Sequence, residues 1–141
     1  MKFDYPNSLF FHLDVLICNA GVMSHKNNEN VTEDGLELHF SVHCLGHFLI
    51  FNLLRPLLLK STDPRVIMVS SILLKGGQID VDNIGSPDNA RYKNFDSESN
   101  TPPGYADSKL VASLLVKELQ EEDPSISFFS VSPGWCKTNL G

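Results

Sequence analysis

Tyr105 and Lys109 stand four residues apart, a spacing that could do chemistry. If the segment is helical, the two side chains lie one turn above each other on the same face. A free phenol has a pKa of about 10, and a neighbouring ammonium favours the phenolate. A tyrosine with a lysine one turn away is therefore a candidate general acid/base. Taken alone, the same spacing also describes a solvated helix face.

Three further groups sit where short apolar runs end. Asn19-Ala20-Gly21 follows residues 13–18, Ser70-Ser71 follows Val66-Ile67-Met68-Val69, and Pro133-Gly134 follows residues 126–131. Each run reads as a buried strand, because it is short, apolar and closed by turn residues. A strand-end serine such as Ser71 can also simply satisfy local backbone, and Asn19 and Gly21 can be turn residues. His39, His43 and His47 recur every fourth residue. A pair at that spacing can chelate zinc. Two or three histidines without an obvious carboxylate or thiolate are read as core or surface residues, so no metal is expected.

The elements that must hold these groups follow from periodicity and punctuation. Thr32, followed by Glu33 and Asp34, predicts a helix N-terminus, with the helix running to about residue 54 and Pro56 marking or kinking its end. Residues 104–122 predict a second helix, with Leu110, Val111, Leu114, Leu115 and Leu119 on one face. Between the second strand and that helix, residues 80–103 form a long polar loop. Strand, helix, strand, helix, strand implies parallel strands with right-handed crossovers. In such sheets function gathers at the carboxyl ends of the strands, where the three groups fall.

Composition narrows the function classes. The 141 residues suit one domain, and the net charge of −6 argues against nucleic acid or an anionic membrane as the main partner. Cys18, Cys44 and Cys136 form no Cys-x-x-Cys pair and read as small buried hydrophobes in a reducing compartment. No signal peptide is visible, and residues 45–59 read as a buried helix too short and polar to span a membrane. The cytoplasm is the default expectation.

Together these groups resemble the short-chain dehydrogenase/reductases, most closely the retinol-dehydrogenase and WW-domain-oxidoreductase branch. Cys18-Asn19-Ala20-Gly21 is similar to the family's Asn-Asn-Ala-Gly turn. Val69-Ser70-Ser71 resembles the strand end whose second serine is catalytic, and Tyr105 and Lys109 resemble its Tyr-x-x-x-Lys pair. Pro133-Gly134 with Thr138 resembles the segment beside the nicotinamide, and Leu45-Gly46-His47-Phe48 and Gln78-Ile79-Asp80 point to the branch.

The resemblance implies an α/β fold: a partial Rossmann-like parallel sheet of about three strands with flanking helices. Residues 1–12 would be an irregular lead-in and residues 13–141 a partial domain of the family. It implies Ser71, Tyr105 and Lys109 as catalytic residues. Asn19, Ala20, Gly21, Tyr105, Lys109, Pro133, Gly134 and Thr138 would contact NAD or NADP. The substrate would be a small lipophilic carbonyl or alcohol, and the Tyr105 helix would serve homo- or hetero-oligomer contacts. Two departures stand out. None of the nine glycines shows Gly-x-Gly spacing, so the diphosphate-binding turn is missing and the chain alone is expected to be inactive. His43 occupies the position of the family's catalytic asparagine.

Overall fold

A computed structural model describes residues 12–25, 30–93, 101–137 and 140. Three parallel strands, β1 (Val15–Cys18), β2 (Arg65–Val69) and β3 (Ser127–Val131), form one sheet in the order β1-β2-β3. Register aligns Leu16, Val66 and Phe128 in one row, and Ile17, Ile67 and Phe129 in the next. Because successive side chains alternate, the first row faces one side of the sheet and the second the other.

The Leu16 side carries the core. Cys18, Val66, Met68 and Phe128 pack with Phe51 and Leu58 of α2 (His47–Leu58) and Leu119 of α4 (Pro103–Glu122). Phe51 and Phe128 meet edge to face, centroids 5.4 Å apart. Gln120 fastens α4 to β3 by accepting from Phe128 N and donating to the Ile126 carbonyl. Arg55 on α2 forms a two-pronged ion pair with Asp123, the residue that ends α4. The opposite side is open among the described residues: Ile17 is 58% exposed and Phe129 46%. A parallel sheet ordinarily has both faces covered.

The helix before β2 is continuous but not uniform. It starts as α1 (Leu38–Phe40), passes through a π-helical stretch (Ser41–Gly46) and continues as α2. The expected start at Thr32 is corrected to Glu37, whose carboxylate accepts from Phe40 N at 2.7 Å. Thr32 instead closes a tight turn through its hydroxyl and Leu36 N, and Gly35 follows the turn at φ 77°, a conformation that stops helical continuation. Pro56 sits inside the last turn rather than ending the helix. By length and composition, residues Leu38–Leu58 are apolar enough to cross a membrane, contrary to expectation, while His39, His43, His47, Phe51 and Leu58 are buried within the fold.

The polar loop before α4 contains more structure than expected. A short α3 spans Ala90–Lys93 within it, and a 3₁₀ turn at Ile72–Gly76 precedes it.

Candidate active site

Pro103 opens α4, where its lack of an N–H costs nothing. Tyr105, Asp107, Ser108 and Lys109, in the first two turns, are all buried. The Lys109 ammonium lies 5.6 Å from the centroid of the Tyr105 ring, as the four-residue spacing predicts. It donates to the Val69 carbonyl at 2.9 Å, which anchors it at the end of β2. Burial pulls the Lys109 pKa below its ordinary value. The ammonium has three donors, and one is committed to Val69.

The two serines after β2 have different surroundings. Ser70 is buried, donates to the Lys109 carbonyl at 3.1 Å and accepts from Ser113. Ser71 is half-buried, and its hydroxyl accepts from Leu73 N at 3.2 Å, capping the 3₁₀ turn. A hydroxyl oxygen used this way keeps its own proton to donate. The 3₁₀ turn is pressed onto α4: a Cβ at Gly77 would stand 2.7 Å from the Ala106 carbonyl oxygen.

Asp107, inside the Tyr-x-x-x-Lys segment, ties the loop down. Its carboxylate accepts from Gln78 N at 2.7 Å and pairs with Arg91, which also donates to the Gly76 carbonyl. Burial and the nearby Asp107 and Glu37 carboxylates raise the Tyr92 pKa. Sequence reasoning passed over Asp107 and Arg91. The only available signal was an acidic residue inside the Tyr-x-x-x-Lys segment.

Around Tyr105 the helix before β2 supplies two aromatic neighbours. His43 meets its ring at 5.4 Å and 88°, and His39 at 6.0 Å and 86°. Val22 N donates to His43 Nε2 at 3.0 Å, so His43 carries its proton on Nδ1, 2.8 Å from Ser108 Oγ. Ser108 in turn donates to the Tyr105 carbonyl. His39 repeats the arrangement: Ser24 N donates to Nε2, and Nδ1 donates to the buried Glu37 carboxylate at 2.6 Å. Burial, with the Lys109 charge adding to it, lowers the His43 pKa to about 2. Among the described residues no group of three metal-ligating side chains comes together.

The other expected cofactor contacts lie at the same carboxyl edge of the sheet. Asn19 and Ala20 are exposed after β1, and Gly21 is half-buried beneath His43. Pro133 and Gly134 are exposed after β3, with Gly134 at φ 76°. Thr138 lies outside the described residues. The fold therefore joins Lys109 to Tyr105 and to Val69 and Ser70, the residues just before Ser71, and reaches Gly21 through His43. Asn19, Ala20, Pro133 and Gly134 remain solvent-facing turns. Of the cysteines, Cys18 and Cys44 are buried, their thiol pKa values pushed up to about 11 and about 12, but Cys136 is exposed, which corrects the expectation for it.

Residues 7–81 match the short chain dehydrogenase family model. The chain is 40% identical to retinol dehydrogenase 14 of Mus musculus over 131 residues, covering 92% of this chain but 36% of that protein. It is 38% identical to polyprenol dehydrogenase of Danio rerio, covering 91% of this chain and 39% of that protein. The crystal structure of an uncharacterized protein from Mycobacterium Paratuberculosis superposes with a TM-score of 0.67 at 33% identity, over 94% of this chain and 46% of that one. The chain thus spans less than two fifths of the length of these curated relatives and just under half of the solved structure.

Proposed function

The chain belongs to the short-chain dehydrogenase family, and from that premise we propose that it carries the proton-transfer centre of an NAD(P)-dependent oxidoreductase. Its reaction interconverts a carbonyl and an alcohol on a small lipophilic substrate. The buried contact between Tyr105 and Lys109 at the end of β2 carries this reading.

A nicotinamide, when bound, supplies or takes up a hydride. The reacting oxygen then needs a proton and a hydrogen-bond donor in a site that excludes water. Tyr105 gives or receives the proton at its phenolic oxygen. Ser71 donates a hydrogen bond to the substrate oxygen. Lys109 keeps a positive charge beside the phenol, with two donors free for a ribose hydroxyl. The nicotinamide end of the cofactor suits the residues present, since Asn19, Ala20, Gly21, Pro133 and Gly134 bracket Lys109 along one sheet edge. Thr138 is assigned to the carboxamide by resemblance alone. The diphosphate end finds no Gly-x-Gly turn in this chain, so the 141-residue chain alone is inactive in this reading.

The open sheet face favours a second reading, in which the chain associates with a full-length relative, or with a second copy, and modulates it without turning over substrate. On the other side of the sheet the Tyr105 helix offers a second surface through Leu114, 47% exposed.

The test pairs two measurements. NADH and NADPH fluorescence titrations of the chain alone should be flat. The chain fused behind the N-terminal portion of retinol dehydrogenase 14 should reduce a lipophilic aldehyde, and Tyr105→Phe should abolish that rate. Turnover that survives Tyr105→Phe rejects the assignment. Co-purification with a full-length relative, without turnover in the fusion, selects the second reading.

A further inference from the structure

The histidine triplet has a use that neither zinc nor proton transfer explains. Along the helix, His39 and His43 are four residues apart; along the segment after β1, their partners Ser24 and Val22 are two apart and run the opposite way. The two repeats stay in step: His39 and His43 each accept from a backbone N–H at 3.0 Å. Ala20 is the next position of the repeat and the backbone group beside His47. His47 donates from Nδ1 to the His43 carbonyl, and its buried Nε2 makes no hydrogen bond.

We propose that His39 and His43 are positioning residues, two rungs that fix the backbone of residues 20–24 against the helix and, through Ser108, against the Tyr105 helix. The segment they hold begins with the turn assigned above to the nicotinamide, so the functional meaning of the ladder rests on that reading. Its geometry does not. Gly21 belongs to the device, because a Cβ there would sit 3.2 Å from His43 Nε2.

Both nitrogens of His43 are committed: Nε2 accepts from Val22, and Nδ1–H donates to Ser108. A proton on Nε2 would face the Val22 N–H, donor against donor. The groups around the ring are Lys109 and Tyr105 on α4, His39 and His47 on its own helix, and the buried Cys44. None of them accepts a proton from it. His43 therefore orients Tyr105 and does not relay protons to it.

Amide hydrogen exchange on the chain without cofactor tests the ladder. Val22 and Ser24 should be protected although they lie outside any strand, and Met23 between them should exchange faster. His43→Ala should cut Val22 protection about tenfold or more while sparing Ser24 and the β2 amides. His43→Gln, whose amide oxygen can accept, should restore part of it. A local loss of this kind is not what general destabilisation produces. If His43→Ala unfolds, the ring nitrogens of the unmutated chain decide: an Nδ1–H tautomer unchanged from pH 8 to 5 supports the ladder. Fast exchange at both Val22 and Ser24 in the unmutated chain, or an Nε2–H tautomer at His43, overturns it. Failure here leaves the Tyr105→Phe assay standing, and a silent assay leaves the ladder standing.

Discussion

His43 and Ser108 are 65 residues apart in sequence and 2.8 Å apart in the fold. The Val22 N–H on the other ring nitrogen fixes the tautomer, and the burial of this histidine has a consequence for stability. The folded pKa of His43 is about 2, against 6.5 for the free side chain. Below pH 6.5 the unfolded chain takes up a proton that the folded chain refuses, so stability is full above about pH 6.5 and falls between there and pH 2. One such histidine costs about 2 kcal/mol by pH 5. His47, also lowered by burial, acts in the same direction. Urea midpoints should therefore drop from pH 7 to pH 5, and His43→Gln should flatten the slope. An unchanged slope in His43→Gln contradicts the assignment.

Gly76 and Gly77 make a matched pair. A Cβ at Gly77 meets the Ala106 carbonyl oxygen at 2.7 Å and Leu110 Cβ at 2.9 Å, whereas a Cβ at Gly76 meets nothing within 4 Å. Backbone cannot move aside as a side-chain tip can, so Gly77→Ala should cost about 1–3 kcal/mol. It should also shift the 3₁₀ turn that Ser71 caps. Gly76→Ala should stay within about 0.5 kcal/mol of the parent. Thermal midpoints of the two variants provide the comparison, and equal losses would refute the close approach.

The sheet was readable because buried strands announce themselves: the expected residues 13–18, 66–69 and 126–131 became Val15–Cys18, Arg65–Val69 and Ser127–Val131. Tyr105 and Lys109 were readable because their meeting depends only on helical spacing. The first helix start was misplaced, because Thr32 followed by two acids is a capping pattern and only the backbone at Gly35 shows that the turn goes nowhere. Glu37 and Asp107 were not legible. A buried carboxylate declares its role through its partners, and those of Asp107 come from a loop 16 and 29 residues earlier in the chain. The histidine ladder was visible only in half: the helical period is in the sequence, but nothing there aligns it with residues 20–24.

Arg55 and Asp123 join the end of α2 to the end of α4, and Asp123 also closes α4 through its own N–H. The bidentate bond holds the Asp123 carboxyl below the usual carboxylate range. Its stabilisation is present above the ordinary carboxylate pKa and is lost as pH falls below that range. Arg55 is 42% exposed, so solvent screening limits the coupling to about 1 kcal/mol. A double-mutant cycle of Arg55→Ala and Asp123→Ala at pH 7 should give that coupling. Repeated at pH 2.5 it should give less. A coupling that does not change with pH means the pair contributes through packing and not charge.

The open face of the sheet carries the last prediction. Val15, Ile17, Phe129 and Val131 are at least 36% exposed on a surface that a parallel sheet ordinarily covers, and among the described residues β1 is an edge strand. Burying such side chains yields about 25 cal/mol per Å² of apolar surface, so the face gains by meeting any apolar partner, including itself. The chain alone should therefore sediment as a concentration-dependent mixture and bind a hydrophobic dye. Phe129→Lys, at the centre of β3 on that face, should shift the mixture towards monomer and lower dye binding. It should leave the β2 amides as protected as before, because the core lies on the other side of the sheet. A purified monomer with a sharp thermal transition and no dye binding would mean that the face is stable uncovered, and association through it would have to be abandoned.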